Sequence, residues 1–342
     1  MKTILFDIPG LADNKIFNPE ARDGVTEPFI YLRDQLRQRG YDLTTADNIP
    51  LDNCEMIWFW EVPHHFNKNA SLSRQLKNFI KKLIGQPVHS KRDIYKEAID
   101  GGFPGEMVAF LFEPPTTLSA NWDTKNHESF TTIFTWHDDY VDGKKYHKLL
   151  YPTPQHFPQV EDVDFDKRKL LVNITGNKNS SHPRELYSER RKTIRYFEKH
   201  HPDQFDLFGV NWNKEGDDYY PSYRGTVNHK WDVMPQYRFA LSYENMYDER
   251  GYVTEKILDP MRVGCVPVYW GAPNIDQYVD PNAFIDRRNF KSNEELAQFL
   301  LEISEDKYMN YRQSGENYLR GEQFHKFLSP AFAETIIKTL NL

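Results

Sequence analysis

The feature that most constrains this chain is the repeated alternation of short apolar runs with helix-period segments, in two series separated by a proline-rich stretch. In the first series KTILFDI (2–8), CEMIWFWEV (54–62), MVAFLF (107–112) and FTTIFTW (130–136) read as buried strands. Between them, Leu72, Leu76, Phe79, Ile80 and Leu83 share one helical face over 72–84. MVAFLF runs into Glu113-Pro114-Pro115 and FTTIFTW into His137-Asp138-Asp139, so both end in polar turns. The stretch 151-YPTPQHFPQVEDVDFDKR-168 then mixes prolines with charge, and neither the helical nor the strand period survives in it.

Alternation restarts with KLLVNIT (169–175), a helix from about Pro183 to His201, FDLFGV (205–210), RFALSY (238–243) and CVPVYW (265–270). Ser292-Asn293-Glu294-Glu295 is a capping box opening a helix that buries Leu296, Phe299, Leu300 and Ile303. Strands that alternate with helices specify an α/β class with parallel sheets. With 342 residues available, two domains are expected, 1–160 and 161–342, the last helices being free to pack back on the first. Two α/β halves of this kind face a cleft and bind ligands at the carboxyl ends of their strands.

Composition narrows the partners. The 43 basic and 50 acidic residues leave a net charge of −7, which gives no positive field for nucleic acid. Aromatic residues make up 15% of the chain, a content that suits stacking on bases or sugars and equally suits core filling. Cys54 and Cys265 both lie in apolar surroundings and read as small buried hydrophobes, with no disulfide framework or zinc spacing. No window approaches a membrane span, and the first residues lack the form of a signal peptide. The expected location is the cytoplasm. Lys77, Lys81, Lys82, Lys91 and Arg92 cluster in sequence, a basic patch that fits either a solvated face or a weak peripheral contact with the inner membrane.

The stretch 243-YENMYDERGYVTEKILDPMRVGCVPVYWGAP-273 sets Glu244, Asp248, Glu249, Arg250, Glu255, Lys256, Asp259 and Arg262 between two core strands. A helix beginning near 252–254 would offer free N–H groups and a positive dipole end, which suits phosphate. Lys256 in its first turn adds a full charge. Glu255 beside it fits a ribose diol, which a carboxylate accepts from, and a nucleoside diphosphate needs both groups. The plain alternative is that Glu255 favours the helix start by itself, pairs with Arg262 or faces water. Pro260 limits the length of this helix.

These residues carry a resemblance. FALSYENMYDERGYVTEKILDPMRVGCVPVYWGAPNIDQYVDPNAFIDRRNF (239–290) resembles the donor-binding signature of the α1,3-fucosyltransferases, glycosyltransferase family ten, of bacterial type: an apolar strand, Glu-Asn, a variable loop, Tyr-Val-Thr-Glu-Lys, Val-Pro-Val and a glycine. The segment 110–140 is similar to the family's acceptor side. The resemblance implies the GT-B architecture of two Rossmann-like domains. It implies transfer of L-fucose from GDP-fucose, with inversion and without a metal or other cofactor, to a hydroxyl of an oligosaccharide or glycolipid, through an α1,3 linkage.

By the same resemblance Glu113 is the base, expected to titrate high between Phe112 and two prolines; otherwise it is a strand-end carboxylate that solvates a turn. Arg190, in the pattern Arg-x-x-Thr-Ile-x-x-Phe, is the cation for the departing GDP. Asn245, Tyr252, Glu255 and Lys256 complete the donor site, and Tyr223 is a guanine or phosphate contact. Met246 and the loop 246–251 depart from the family pattern at the sugar end, so a different GDP-sugar is one alternative and a non-catalytic binder is another. The Asp-x-Asp of Asp162 and Asp164 resembles a metal-binding motif of the GT-A class, but it lies in the linker and reads as solvated charge. The pairs His64-His65 and His200-His201, with His137-Asp138-Asp139, read as surface or turn residues because adjacent side chains diverge.

Overall fold

The computed structural model describes residues 1–8, 10–47, 49–63, 66, 92–213 and 218–342. The helix expected at 72–84, its lysines with Lys91, and His64-His65 lie outside the described residues. The chain forms two compact units, one of residues 1–18, 29–149 and 333–342, the other of 19–28 and 150–332. Residues 151–160 of the proline-rich stretch thus belong to the second unit.

Six strands of the first unit form a parallel sheet in the order β2-β1-β3-β4-β5-β6: β1 (Lys2–Asp7), β2 (Tyr41–Thr45), β3 (Met56–Trp60), β4 (Glu106–Leu111), β5 (Thr132–Thr135) and β6 (Tyr146–Lys148). Strands buried on both faces need apolar residues at every position. β4 meets this with Met107, Val108, Ala109, Phe110 and Leu111, all buried. The edge strands β2 and β6, sequences YDLTT and YHK, lack such a run and escape pattern reading. Helices α1 (Glu27–Arg37) and α2 (Ile94–Asp100) precede β2 and β4.

The second unit holds a parallel sheet in the order β11-β10-β9-β7-β8: β7 (Lys169–Ile174), β8 (Phe205–Phe208), β9 (Tyr237–Tyr243), β10 (Val266–Trp270) and the two-residue edge β11 (Ile285–Asp286). Its helices are α3 (Tyr187–His200), α4 (Glu255–Arg262), α5 (Asn293–Glu302), α6 (Glu305–Leu319), α7 (Glu322–His325) and α8 (Ser329–Thr339), the last running on into the residues assigned to the first unit. Ser292 caps α5 by accepting from the Glu295 N–H at 3.1 Å. The Glu295 carboxylate turns back to the Lys291 N–H, one residue earlier than a capping box requires.

Two helix starts fall later than the sequence indicates, for local reasons. α3 begins at Tyr187 because the preceding backbone is bonded elsewhere: Leu186 N–H donates to the Asn245 carbonyl and Tyr247 N–H to the Arg184 carbonyl. α4 begins at Glu255 because Thr254, in extended conformation, is its cap. Pro260 sits near the end of α4, where few turns remain to be disrupted, and its carbonyl accepts from Val263 and Cys265.

Candidate functional site

The second unit concentrates charge at the carboxyl end of β9. β9 stops at Tyr243, and the next residue, Glu244, is completely buried. A buried carboxylate is tolerated only with partners, and the turn supplies them. Thr254 donates its N–H at 2.9 Å and sets its hydroxyl 2.9 and 2.8 Å from the two Glu244 oxygens; the Lys256 ammonium stands 3.4 Å away. Burial holds the Glu244 carboxyl above its usual range, with Lys256 opposing. Thr254 also accepts from the Lys256 N–H at 3.4 Å, so one residue both caps α4 and carries the buried carboxylate.

Glu255 and Lys256 occupy the first turn of α4, 3.8 Å apart. Behind Glu255 stands Lys230, 3.9 Å from its carboxylate and 2.7 Å from that of Asp259. Burial alone would raise the Glu255 pKa, but Lys256 and Lys230 prevail and hold it down to about 2. Burial works against a charged Lys230, yet Asp259 and Glu255 raise its pKa above the ordinary lysine range. At 3.8 and 3.9 Å the two ammonium groups are too far for full hydrogen bonds, so the Glu255 carboxylate keeps acceptor capacity for hydroxyl groups.

Arg190, on the first turn of α3, is buried with its Nη2 donating to the carbonyls of Tyr243 at 2.6 Å and Glu244 at 3.0 Å. Its Nε is a buried donor with no partner among the described residues, the kind of group that calls for an explanation. Arg190 thus ties the end of β9 and keeps one donor in reserve. Asn245 follows Glu244, its side chain half-buried and its carbonyl accepting from Leu186. Tyr252 is buried, its carbonyl 3.4 Å from the Tyr269 hydroxyl.

Arg190, Asn245, Tyr252, Glu255 and Lys256 all lie around the carboxyl end of β9 and the start of α4. Tyr223 lies apart. It bridges to Leu207 beyond β8, with β7 and β8 separating it from β9, and its hydroxyl donates to the Gly209 carbonyl at 2.9 Å. Met246 is a core residue, and Glu249 of the same loop is buried against Arg184.

In the first unit Glu113 is half-buried just past the end of β4. Beside it lies the buried Glu61, whose carboxyl burial and the neighbouring Glu113 charge push up to about 8. Glu61 and Lys230 are site residues that sequence reasoning did not single out, and Glu244 and Asp259 stood in the charged turn without a role. Glu61 and Glu244 carried a signal, a lone acid closing an apolar run; Lys230 carried none.

Asp162 is exposed, in keeping with the linker reading, and is also paired: its carboxylate lies 2.6 Å from the guanidinium of Arg168 and 3.0 Å from that of Arg312. Asp164 pairs with Lys167. His137 sits in a turn, its ring accepting from the Asp139 N–H at 3.3 Å, and is buried and stacked on Trp136. Cys54 is half-buried and Cys265 buried, both free. Among the described residues no three or more His, Cys, Asp or Glu side chains group to hold a metal ion, and no helix is long and apolar enough to cross a membrane.

Two parallel α/β units with ionisable groups at the strand ends define the class: this is the GT-B glycosyltransferase fold. A crystal structure of an α1,3-fucosyltransferase with GDP superposes over 100% of this chain and 90% of its own, with TM-score 0.58 at 16% identity. Residues 165–328 match the glycosyltransferase family 10 (fucosyltransferase) C-terminal domain, so the chain carries a glycosyltransferase domain of that family. An α-(1,4)-fucosyltransferase of Arabidopsis thaliana is 38% identical over 79 residues, 23% of this chain and 20% of the relative. GDP-fucose protein O-fucosyltransferase 3 of Xenopus tropicalis is 36% identical over 104 residues, 30% and 21% of the two chains. The matched segments therefore span about a fifth of the length of these curated relatives.

Proposed function

We propose that the protein transfers L-fucose from GDP-fucose to a hydroxyl of a glycan, with inversion and through an α1,3 linkage. The acceptor class that fits is a chain containing GlcNAc or glucose, in a surface polysaccharide or lipopolysaccharide, glycosylated from the cytoplasmic side. The observation that carries this reading is the Glu255–Lys256 pair on the first turn of α4, within the segment matched to the family: an acceptor for a diol beside a cation for phosphate. In this reading Glu255 accepts from the ribose hydroxyls, while Lys256 and the positive dipole end of α4 face the diphosphate. Arg190 holds the end of β9 from which that turn departs and offers its spare Nε to the developing charge.

The reaction is a single displacement. The acceptor oxygen bonds to C1 of the sugar, the bond from C1 to the GDP oxygen breaks with its electron pair leaving on GDP, and the hydroxyl proton passes to the Glu113 carboxylate. Charge on the β-phosphate is met by fixed protein cations, without a metal. Purified protein is screened for GDP release from GDP-fucose and other GDP-sugars. Glu113→Gln keeps the shape of the side chain and lowers turnover roughly 10²–10⁴-fold with GDP affinity unchanged. Release from a different GDP-sugar only, or near-normal turnover in that variant, defeats the reading.

A further inference from the structure

The two peptide units that present Glu113 have left the sheet. β4 ends at Leu111, and Pro114 and Pro115, which follow, have no N–H to offer. Each backbone polar group of Phe112 and Glu113 is nevertheless satisfied, and in every case by a side chain. The Phe112 N–H lies 3.3 and 3.2 Å from the two Glu61 oxygens, and the Glu113 N–H donates to Glu61 Oε1 at 3.0 Å. The Phe112 carbonyl accepts from Trp136 Nε1 at 2.8 Å. The Glu113 carbonyl accepts from Asn121 Nδ2 at 3.1 Å and Trp122 Nε1 at 3.0 Å.

Glu61 is the centre of this arrangement. It follows β3 with φ +73°, a left-handed conformation that a residue with a Cβ adopts only under constraint. Its own N–H donates to the Phe110 carbonyl at 2.9 Å, and from there its buried carboxylate reaches across the end of β4. Asn121 Nδ2 donates to the carboxylate as well, and Asn121 Oδ1 accepts from the Val62 N–H at 3.0 Å, which closes the ring. Backbone strain and a buried acid are both unfavourable for folding, and a strand end needs neither.

We propose that Glu61 is a positioning residue for Glu113, its carboxylate clamping the Phe112 and Glu113 amides so that the Glu113 side chain is presented in one orientation to the acceptor hydroxyl. The proposal rests on the reading of Glu113 as the base. Among the described residues the ionisable group facing Glu61 is Glu113 itself; its other neighbours are the backbone amides and the Asn121 carboxamide. Ionised Glu61 is the stronger acceptor, so the clamp tightens as pH rises through about 8.

The test compares Glu61→Gln with wild type. The amide retains a single acceptor oxygen where the carboxylate has two, so kcat falls roughly 10–100-fold, the range for groups that orient a reacting residue. KM for the acceptor and affinity for GDP hold, and the wild-type rise in kcat near pH 8 disappears. A wild-type kcat and pH profile in folded Glu61→Gln, alongside an inactive Glu113→Gln, overturns the proposal alone. An active Glu113→Gln overturns the base reading and the proposal with it. Should Glu61→Gln fail to fold, Trp122→Phe removes one clamp on the Glu113 carbonyl from a half-exposed site; a several-fold loss in kcat at unchanged melting temperature supports the clamp, and an unchanged kcat overturns it.

Discussion

Lys230→Met tests whether the charge around α4 is a connected network or a coincidence of neighbours. In the folded protein the Lys230 ammonium is 2.7 Å from Asp259 and 3.9 Å from Glu255, and the Lys230 and Asp259 side chains are only 16% and 10% exposed. Methionine fills a similar volume without charge, leaving the Asp259 carboxylate buried with its closest cation gone. Breaking a buried pair from one side costs about 3–5 kcal/mol, equivalent to a fall of roughly 10 °C in melting temperature for a unit of this size. Removing both partners, in Lys230→Met with Asp259→Leu, leaves no orphan charge and recovers most of that loss. Urea denaturation of the four proteins gives the coupling directly. A single variant within 1 kcal/mol of wild type, or a double variant no more stable than the single, refutes the argument.

The remaining predictions concern the two strand ends and the linker. Glu255→Ala weakens GDP by about 1.5–3 kcal/mol, the range for hydrogen bonds to a charged group, and a 2′,3′-dideoxy GDP loses little further on that variant by calorimetry; full additivity of the two losses rules out contact. Turnover survives excess EDTA while Lys256→Ala lowers it steeply, and abolition by EDTA with rescue by Mn²⁺ sinks the metal-free mechanism. Asp162→Ala leaves turnover intact and costs at most about 1 kcal/mol in denaturation, because the carboxylate that Arg168 and Arg312 share is largely exposed. Glu61 has a folded pKa raised from 4.5 to about 8, so its protonated form favours the native state. Its contribution is full below pH 4.5 and lost as pH rises towards 8, and Glu61→Gln flattens that slope in thermal melts.

The sheets were legible where strands are buried on both faces. β4 carries the unbroken run MVAFL, and β7 and β9 carry LLV and FAL at their centres, as strands covered on both faces require. β2, β6 and β11 are edge strands of mixed composition, held by ladders that a local pattern does not encode. At the site, Glu255 and Lys256 were readable because a helix start is a local signal. Lys230 was not, since it reaches Asp259 and Glu255 from 29 and 25 positions earlier in the chain and only folding brings them together. The high-titrating carboxyl was expected beside Phe112 at Glu113. Burial does raise one carboxyl at that strand end, Glu61, which arrives from the neighbouring β3.

The cluster at β9 also explains why a turn between two core strands carries so many charges. Solvation would account for exposed ones, such as Asp248 and Arg250, which are exposed. It does not account for Glu244, Asp259 and Arg190, which are buried, or for an Arg190 Nε without a partner among the described residues. Buried ion pairs are weak contributors to stability and hydrophobic replacements of similar volume often fold better, so packing alone gives no reason to keep them. Their arrangement has a direction: Glu244 and Thr254 fix the start of α4, Lys256 and Lys230 hold Glu255 ionised, and Lys256 is drawn to the same turn by two carboxylates. Such mutual restraint costs stability and yields a cation and an anion at a defined helix N-terminus before any ligand arrives, the preorganisation on which the proposed binding of a nucleoside diphosphate rests.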